Sequence, residues 1–555
     1  MPRAIDLLRQ GRHNEIWQMC CGYLKLDISQ FMEIQNRLLL GQIELLSHSG
    51  IGKKIMGITY PTSVREFRDS VPLTNYSAYC PELVNKQEDF LPGRPSQWVH
   101  TSGRTGEYSC KWVPITPAFT EELSPILYGI GLLSASQKWG DLAPFVQRPN
   151  FIYSVAPRPY VSGALASILQ DQTPSNCFPS IAEAESLSYE ERISLGFNEA
   201  LSEGLDYFFG LSMILAAVGD KFVQSANQMN IKNLLSRPKP LLRLSKGLLH
   251  SRMAKRGLLP KDIWHLRGII ASGLDSSIYK EKIKEYWGRY PLDIYANTEG
   301  SVIATQAWDY SGMTFIPNLN FLEFIPEKEH FKWQMDHKYQ PKTVLLDEVT
   351  AGECYEIVFT NLHGGSLIRY RVGDMIRITS LENDNLNIKT PQMVFERRCD
   401  DLLDFVVVRV TEKTVWKAIE KTGVPYVDWV AFRNQGEPVL NIYLELAGGY
   451  QVNPEKLELD IYQQILKADD DSYMHSDAHD DLSDMIKFQL KLVLLSTGTF
   501  SGYIARRRAE GADLAHLKPQ HVNPSQKTLA ALLSKQTVAE TGFKIPVATT
   551  SANTR

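Results

Sequence analysis

The sequence predicts an α/β protein: a large N-terminal domain with mixed and parallel sheets flanked by helices, followed by a small C-terminal α+β domain. Between His265 and Gly300, a short apolar strand, a helix and a second short strand follow one another. Such a unit implies two parallel strands joined by a right-handed crossover. Beyond Val394 the pattern instead indicates the order βαββαβ, which is typical of a split βαβ domain. We therefore predict domains at residues 1–396 and 397–534, the second of them mobile about a hinge at 397–401, and a flexible tail at 535–555.

The elements of the large domain follow from periodicity and from turn residues. Asp27 and Gln30 resemble a capping box, which predicts a helix running to Gly50 with one buried stripe. That stripe is formed by Phe31, Ile34, Leu38 and Leu45. The apolar run from Leu205 to Val218 is too short to cross a bilayer, which needs about 20 residues, and it predicts a buried helix. The remaining predicted elements are strands at Leu266–Ala271, Leu292–Tyr295, Tyr355–Asn361, Ile368–Val372 and Met375–Ile378, and a helix at Ser277–Trp287.

The small domain is predicted from the same signals. Its predicted strands are Asp404–Val410, Val427–Arg433, Val439–Leu446 and Lys487–Leu495, and its predicted helices are Glu412–Lys421 and Glu455–Lys467.

Composition excludes several classes of function. The chain has 555 residues, of which 43% are apolar and 22% charged, and a net charge of -4, so it lacks the basic face that nucleic-acid binding requires. Its seven cysteines are scattered without a C-x-x-C pair, which argues against a disulfide framework or a zinc site. The first residues lack the apolar core of a signal peptide. We expect a cytoplasmic location and no membrane span, and the oligomeric state stays open.

Three polar segments suggest nucleotide chemistry. The loop from Thr101 to Glu107 is rich in Gly and hydroxyl residues and suits close approach to phosphate oxygens, but it is not a Walker loop because no Lys-Ser/Thr follows Gly106. Glu299 follows a strand and a polar turn, where a carboxylate can hold Mg²⁺. Asp374, expected in a turn beside a sheet, can accept two hydrogen bonds from a ribose diol.

Each of these segments also has a structural interpretation. The loop is equally consistent with a surface turn, Glu299 with a capping or surface glutamate, and Asp374 with a residue that stabilises its turn. Lys111 is as consistent with a solvated side chain as with a phosphate contact. The order of the segments along the chain favours the functional interpretation.

The motifs resemble those of the auxin-responsive Gretchen Hagen family of acyl-acid amido synthetases, within the adenylate-forming superfamily of acyl-CoA synthetases, adenylation domains and luciferases. The resemblance runs from about Trp17 to about Ser525. The matching segments are FRDSVPLTNY (67–76), TSGRTGEYSCKWVP (101–114), YANTEG (295–300), GECYEIVFTNLHGGSLIRYRVGD (352–374), TEKT (411–414) and residues 498–519.

The resemblance implies an adenylate-forming architecture with ATP and Mg²⁺ as cofactors. Glu299 is implied to bind Mg²⁺ as a catalytic residue, and Lys518, in the closing segment after Gly498-Thr499-Phe500, is implied to be the second catalytic residue, a mobile cation. The implied ATP-binding residues are Thr101, Ser102, Gly103, Arg104, Thr105, Gly106, Tyr295, Thr298, Asp374 and Arg397. Arg104 replaces a small hydroxyl residue and Gln520 replaces an arginine of the family pattern, and the role of Lys413 stays open.

The resemblance further implies activation of a carboxylic acid as its acyl-adenylate, with pyrophosphate released, and acyl transfer to an amino acid amine. Two alternatives stay open: a ligase that uses the thiol of CoA, and a catalytically weak homologue that senses a nucleotide or an acyl ligand. The acid itself cannot be read from the sequence. Candidate residues of an acyl pocket are Phe208, Phe209, Met213, Leu215, Ser272 and Gly273, although a buried helix uses the same residue types for packing, and packing is the favoured interpretation.

Overall fold

The computed structural model of the protein describes residues 3–101, 110–145, 148–187, 189–226, 238–272, 276–399, 402–404, 409–433, 439–448, 450–470, 489–509, 519, 521–524 and 526–533. These residues form two compact units, one on each side of residues 400 and 401. The tasks predicted for the two domains, and the mobility of the second, stay predictions.

The first unit combines helices with one large sheet. Its helices are α1 (Ala4–Arg9), α2 (His13–Cys21), α3 (Ile28–Ser47), α4 (Gly50–Met56), α5 (Val64–Ser70), α6 (Pro117–Ala135), α7 (Val161–Gln172), α8 (Ile181–Ala184), α9 (Tyr189–Glu203), α10 (Ser212–Ala226), α11 (Pro238–Met253), α12 (Pro260–Ile263), α13 (Ser276–Trp287) and α14 (Glu327–Met335). Its strands are β1 (Gln97–His100), β2 (Trp112–Ile115), β3 (Asn150–Ile152), β4 (Asn176–Phe178), β5 (Tyr207–Leu211), β6 (Gly268–Ser272), β7 (Leu292–Asn297), β8 (Ser301–Thr305), β9 (Met313–Phe315), β10 (Asn320–Pro326), β11 (Cys354–Asn361), β12 (Tyr370–Ser380) and β13 (Gln392–Arg398).

The large sheet has the strand order β10-β11-β12-β13-β9-β8-β7-β6-β5-β3-β4. The strands from β4 to β7 run parallel, whereas those from β7 to β10 are antiparallel. Ile270 of β6 pairs with Leu292 of β7 in parallel across α13, which confirms the predicted strand–helix–strand unit. This mixed sheet flanked by helices confirms the predicted fold class.

The apolar run from Leu205 to Val218 is not a single helix, as we predicted, but a strand followed by a helix. Residues Tyr207–Leu211 form β5, which pairs in parallel with β3 and β6, and α10 begins at Ser212. A parallel strand covered on both faces has a continuous apolar sequence, so periodicity alone does not separate it from a buried helix. The aromatic residues of this segment favour the strand.

Helix α3 confirms the predicted capping box. The Asp27 carboxylate accepts from the Gln30 backbone N–H at 2.8 Å, and the Gln30 side chain accepts from the Asp27 N–H at 3.1 Å. The predicted stripe is partly wrong, because Leu45 is exposed while Gln35 and Gln42 are buried. Both glutamine side chains bond to backbone groups of the sheet region, which offsets the cost of burying them.

Strand β12 is longer than the sequence predicted. Residues Tyr370–Ser380 form one strand, and its register with β11 shifts opposite residues 356–358. Gly373 has a φ of +82°, a conformation that favours glycine, so the Gly373-Asp374 pair forms a β-bulge. Asp374 therefore does not lie in a turn, as we expected, but inside a strand. A bulge re-aims a side chain without ending the ladder.

The second unit contains a small sheet. Its strands are β14 (Leu402–Asp404), β15 (Arg409–Thr411), β16 (Tyr426–Arg433), β17 (Val439–Leu446) and β18 (Gln489–Leu495), and its helices are α15 (Glu412–Lys421), α16 (Pro454–Asp470), α17 (Thr499–Ala509) and α18 (Gln526–Leu533). Strands β16 and β17 are antiparallel, and β18 runs parallel to β17 after the crossover through α16. The predicted single strand Asp404–Val410 is instead two short antiparallel strands, β14 and β15. The rest of the βαββαβ order is confirmed.

No helix among the described residues is long and apolar enough to cross a membrane.

A buried ion pair joins β11 to β12. Both carboxylate oxygens of Glu356 accept from Arg371, at 2.8 and 2.6 Å, and one also contacts His330 Nδ1 at 2.7 Å. Burial raises the pKa of Glu356, but the hydrogen bonds from His330 and Arg371 outweigh it, so the pKa lies below its usual value. The Cys399 Sγ lies within 4.8 Å of ligand atoms of His330 and Glu356. With Arg371 on the same carboxylate, we assign no metal to this group.

We expect Glu356→Gln to destabilise the first unit by about 3 to 5 kcal/mol, because it leaves a mostly buried guanidinium without its charge partner. Urea unfolding measures the change in the free energy of unfolding, and hydrogen exchange of β11 peptides measures the change in that strand. The matched control is Glu396→Gln, which breaks a similar forked pair with Arg377 at a half-exposed position, where solvent screening keeps the cost to about 1 kcal/mol. Equal effects of the two substitutions would contradict this prediction.

The lowered pKa of Glu356 also makes the stability of the first unit depend on pH. The stabilisation is complete above the unfolded-state pKa of about 4.3 and is lost as the pH falls through the lower folded-state value.

Candidate active site

In the sequence, the predicted phosphate loop lies between the two strands of a β-hairpin. Strands β1 and β2 are antiparallel, and the Thr101 N–H donates to the Lys111 carbonyl at 3.1 Å while the Lys111 N–H donates to the Thr101 hydroxyl at 3.1 Å. Ser102, Gly103, Arg104, Thr105 and Gly106 lie outside the described residues. Their predicted phosphate contacts, and that of Thr101, stay predictions.

Glu299 lies at the turn between β7 and β8, and its carboxylate is almost fully buried. Oxygen Oε1 accepts from Lys111 Nζ at 3.3 Å and from the Tyr370 hydroxyl at 3.2 Å. Among the described residues, no group is hydrogen-bonded to Oε2. The carboxylate is therefore neither a cap nor a surface group, and it has an oxygen available to a hard cation.

Asparagine side chains hold the turn that carries Glu299. Asn297 Oδ1 accepts from the Gly300 N–H at 2.6 Å, Asn320 Nδ2 donates to the Gly300 carbonyl at 2.7 Å, and Asn361 Nδ2 donates to the Glu299 carbonyl at 3.0 Å. These bonds satisfy backbone groups that a tight buried turn would otherwise leave unpaired. The position of Glu299 is consequently set by β7, β10 and β11 together.

Asp374 is buried and accepts hydrogen bonds on both oxygens. The Tyr295 hydroxyl donates to Oδ2 at 2.7 Å, and Arg398 NH1 donates to Oδ1 at 2.8 Å. Both oxygens of this carboxylate thus act as acceptors, the role that a ribose diol would require of it. The side chain of the predicted Arg397 is not among those described. Its neighbour Arg398, which the sequence analysis did not single out, makes the contact.

The two carboxylates and the two tyrosines form a crossed arrangement. Tyr295 of β7 contacts Asp374 of β12, whereas Glu299, four residues after Tyr295, contacts Tyr370, four residues before Asp374. Strands β7 and β12 are separated by β8, β9 and β13 in the sheet order, so this antiparallel part of the sheet must curve to bring them together. The two motifs Tyr-Ala-Asn-Thr-Glu and Tyr-Arg-Val-Gly-Asp therefore meet in opposite directions.

Both tyrosines remain protonated donors. Burial and the neighbouring carboxylate raise the pKa of Tyr295, next to Asp374, and that of Tyr370, next to Glu299, well above the usual value. The sequence analysis placed Tyr370 in a predicted strand and gave it no role in the site. The signal it missed is the repeated spacing of a tyrosine four residues before an acid.

Lys111 is not a solvated surface lysine. Its side chain is 15% exposed, and Nζ bonds to both Glu299 and the Tyr370 hydroxyl. It places a positive charge next to the turn of Glu299 and beside the predicted phosphate loop. Thr298 is half-buried, and its predicted ATP contact stays a prediction.

Two of the candidate acyl-pocket residues, Phe208 and Phe209, pack into different cores. Phe208 is fully buried, with its ring against Phe197 and Trp287 at 6.2 and 5.7 Å. Neighbouring strand residues point to opposite faces, so Phe209 packs on the other side, against the core that includes α6. Phe208 therefore belongs to an aromatic core, Phe209 packs in a different one, and their role in an acyl pocket stays a prediction.

The structure describes the other candidate acyl-pocket residues only in part. Leu215 is fully buried, and its carbonyl accepts from Trp287 Nε1 at 3.1 Å. Met213 lies in α10 and Ser272 ends β6, without described side chains, and Gly273 is outside the described residues, as is Lys518 in the second unit.

Comparison with known proteins identifies relatives of this chain. Residues 313–398, from β9 to β13 with Tyr370 and Asp374, match the model of the GH3 family central domain. The chain is 27% identical over 300 residues to jasmonoyl–L-amino acid synthetase JAR4 of Nicotiana attenuata, covering 51% of this chain and 48% of the relative. It is 26% identical over 304 residues to jasmonoyl–L-amino acid synthetase GH3.5 of Oryza sativa subsp. japonica, covering 50% and 49%. These alignments span about half the length of each relative.

The fold similarity is more extensive. The solved structure of the AtGH3.15 acyl acid amido synthetase in complex with 2,4-DB superposes with a TM-score of 0.52 at 15% identity, covering 93% of this chain and 95% of that one. The chain thus carries a match to the GH3 family central domain, and its similarity to an acyl acid amido synthetase extends to the fold of nearly the whole chain.

Proposed function

We propose that the protein activates a carboxylic acid with ATP, forming an acyl-adenylate and pyrophosphate, and then transfers the acyl group to the amine of an amino acid. The observation that carries the proposal is the crossed arrangement in which Tyr370 and Tyr295 hold Glu299 and Asp374 in one curved part of the sheet. It brings together a candidate metal ligand and a candidate ribose acceptor that are 75 positions apart in the sequence. The similarity to amido synthetases supports the amide product.

In the first step, a carboxylate oxygen attacks the α-phosphorus of ATP and the bond to pyrophosphate breaks. Two anions approach each other in this step, so positive charge and hydrogen-bond donors must offset their repulsion. Lys111 supplies such a charge next to Glu299, and Thr101 to Gly106 supply the predicted donors. In the second step, the amine attacks the acyl carbon, AMP leaves with the C–O bond electrons, and the amine loses its proton.

The residues present fit a magnesium ion bound with ATP. Glu299 offers a hard carboxylate oxygen, and one or two carboxylates together with substrate phosphates are a common way to hold Mg²⁺. When bound, the ion would neutralise phosphate charge. Glu299 would then exchange part of its contact with Lys111 for the ion, which would release the lysine toward the phosphates.

The decisive experiment is pyrophosphate release from ATP with a panel of aromatic and medium-chain acids, followed by mass measurement of the product with amino acids or CoA as acceptor. We expect acid-dependent pyrophosphate release and an amide that persists in mild base with hydroxylamine. A thioester would instead support the CoA ligase alternative. Nucleotide binding without pyrophosphate release from any acid would support the sensor alternative.

Asp374→Asn is expected to weaken ATP binding by roughly 10- to 100-fold while leaving acid binding unchanged. The reason is that hydrogen bonds to a charged acceptor contribute about 1.5 to 3 kcal/mol each, and the diol would lose such an acceptor. Isothermal titration with ATP and with the acid measures the two affinities. 2′,3′-Dideoxy-ATP provides the control, since it lacks the diol and should bind both proteins alike. An unchanged ATP affinity in the variant would rule out the ribose assignment.

A further inference from the structure

His521 of the second unit lies between two carboxylates. Its Nδ1 is 2.6 Å from Glu412 Oε1, at the start of α15, and its Nε2 is 2.7 Å from Asp428 Oδ1, in β16. A neutral imidazole donates from only one nitrogen. Two carboxylate acceptors at these distances therefore require the doubly protonated, charged ring.

Aromatic rings cover the rest of this histidine. Its ring stacks on Trp429 at 4.5 Å and meets Trp416 edge-on at 5.2 Å. Burial lowers the pKa of His521, but the hydrogen bonds that its ring donates to Asp428 and Glu412 outweigh burial and raise the pKa above its usual value. Among the described residues, the charged groups that face the ring are Glu412 of α15 and Asp428 of β16.

The backbone around His521 is paired to the sheet of the second unit. The Ala431 N–H donates to the His521 carbonyl at 2.6 Å, and the Asn523 N–H donates to the Ala431 carbonyl at 2.9 Å. Val522 is fully buried in the core of this unit. The segment therefore lies along β16 as an added parallel pairing. Three residues before this anchor stands Lys518, the predicted catalytic cation.

We propose that His521 is a positioning residue for adenylate formation: its charged ring fixes the segment 521–523, which begins three positions after Lys518 in the sequence, to β16 and to the first turn of α15. This inference rests on the proposed function. Packing alone would be served by an apolar residue, whereas two charged hydrogen bonds on opposite sides of one ring also set its direction. A shift of about 1 Å in a catalytic group is enough to cost on the order of 10²-fold in rate.

The test measures both half-reactions of the full chain between pH 6 and 9. In the unaltered protein, we expect pyrophosphate release to fall as the pH rises through the raised pKa of His521, while conversion of supplied acyl-adenylate to amide does not follow that step. In His521→Gln, the amide nitrogen cannot reach both carboxylates. This variant should release pyrophosphate roughly tenfold more slowly at pH 7, as for one lost charged hydrogen bond. Its pyrophosphate release should also no longer fall as the pH rises through the pKa of His521.

Two further variants separate positioning from stability. Asp428→Asn removes the carboxylate that raises the pKa of His521 most. The fall of pyrophosphate release with rising pH should therefore move to lower pH. Ile461→Val trims the fully buried core of the same unit away from the histidine, and it should lower the unfolding temperature without altering the pH profile of either half-reaction. A ¹³C-histidine titration, with His521 identified by its loss in His521→Gln, measures its pKa directly.

The outcomes are distinct. Three results would each overturn the inference while the proposed function stands. The first is that pyrophosphate release by His521→Gln still falls with rising pH as it does in the unaltered protein. The second is an equal loss in both half-reactions, and the third is a His521 pKa below about 6.5, the usual value. Absence of pyrophosphate release from the unaltered protein with every acid would overturn the proposed function itself, and the inference with it.

Discussion

Glu299→Gln is expected to abolish magnesium-dependent pyrophosphate release, a loss on the order of 10³-fold, the upper end for removing one group that stabilises a transition state. A neutral amide is a poor ligand for a hard cation. The substitution keeps the shape of a side chain that is buried between Lys111 and Tyr370, so the change should act on charge more than on packing. Pyrophosphate release against magnesium concentration, at saturating ATP and acid, measures the effect.

The matched control is Glu44→Gln, an exposed residue of α3 in the same unit, which should retain full activity. Unfolding temperatures of both variants distinguish a lost ligand from a lost fold. Normal turnover of Glu299→Gln would mean that the metal is held elsewhere. If Glu299→Gln regains activity at high magnesium concentration, the variant binds magnesium more weakly. Weaker magnesium binding is the expected defect, so this outcome leaves the assignment of Glu299 as a ligand intact.

Lys518→Ala is expected to slow ATP-dependent adenylate formation by on the order of 10²-fold, by analogy with the loss of a single donor to a developing negative charge. Only interactions that strengthen in the transition state accelerate a step. A lysine that acts on the phosphate charge therefore matters for making the adenylate, and it matters much less for using one already made. Supplied acyl-adenylate should still be converted to amide at a nearly normal rate.

Lys456→Ala, at an exposed position of α16 in the same unit, provides the control for removing one lysine charge. Equal losses in the two half-reactions of Lys518→Ala, or no loss in either, would mean that the closing segment has been misinterpreted. The comparison with His521→Gln is then informative, because both variants should affect the same half-reaction if the histidine positions the lysine.

Several local features of this protein could be predicted from sequence. The capping box of Asp27 and Gln30, the parallel pair β6 and β7, and helix α15 depend on residues within a few turns of each other, and periodicity and turn chemistry report on that range. Two of the candidate site residues, Glu299 and Asp374, were also found from local motifs. The structure shows both carboxylates buried and hydrogen-bonded to tyrosines.

Other features depend on contacts that periodicity does not contain. Asp374 lies in a bulge instead of a turn because β11 and β13 pair on both sides of it. Phe208 and Phe209 face opposite layers because the segment is a strand between β3 and β6. These outcomes depend on which neighbours the chain finds in the sheet, and a short apolar run is compatible with more than one arrangement.

The sequence by itself determined which residue types are available for nucleotide chemistry and in what order they occur. Only the tertiary structure decided which of them meet. Tyr370 joins Glu299 and Tyr295 joins Asp374 because the sheet curves until β7 and β12 face each other across three intervening strands. Arg398 meets Asp374 through the direct pairing of β13 with β12, and Lys111 reaches Glu299 from the separate hairpin of β1 and β2. That curvature is the accumulated twist of many paired strands, a property of the whole sheet that no single segment encodes.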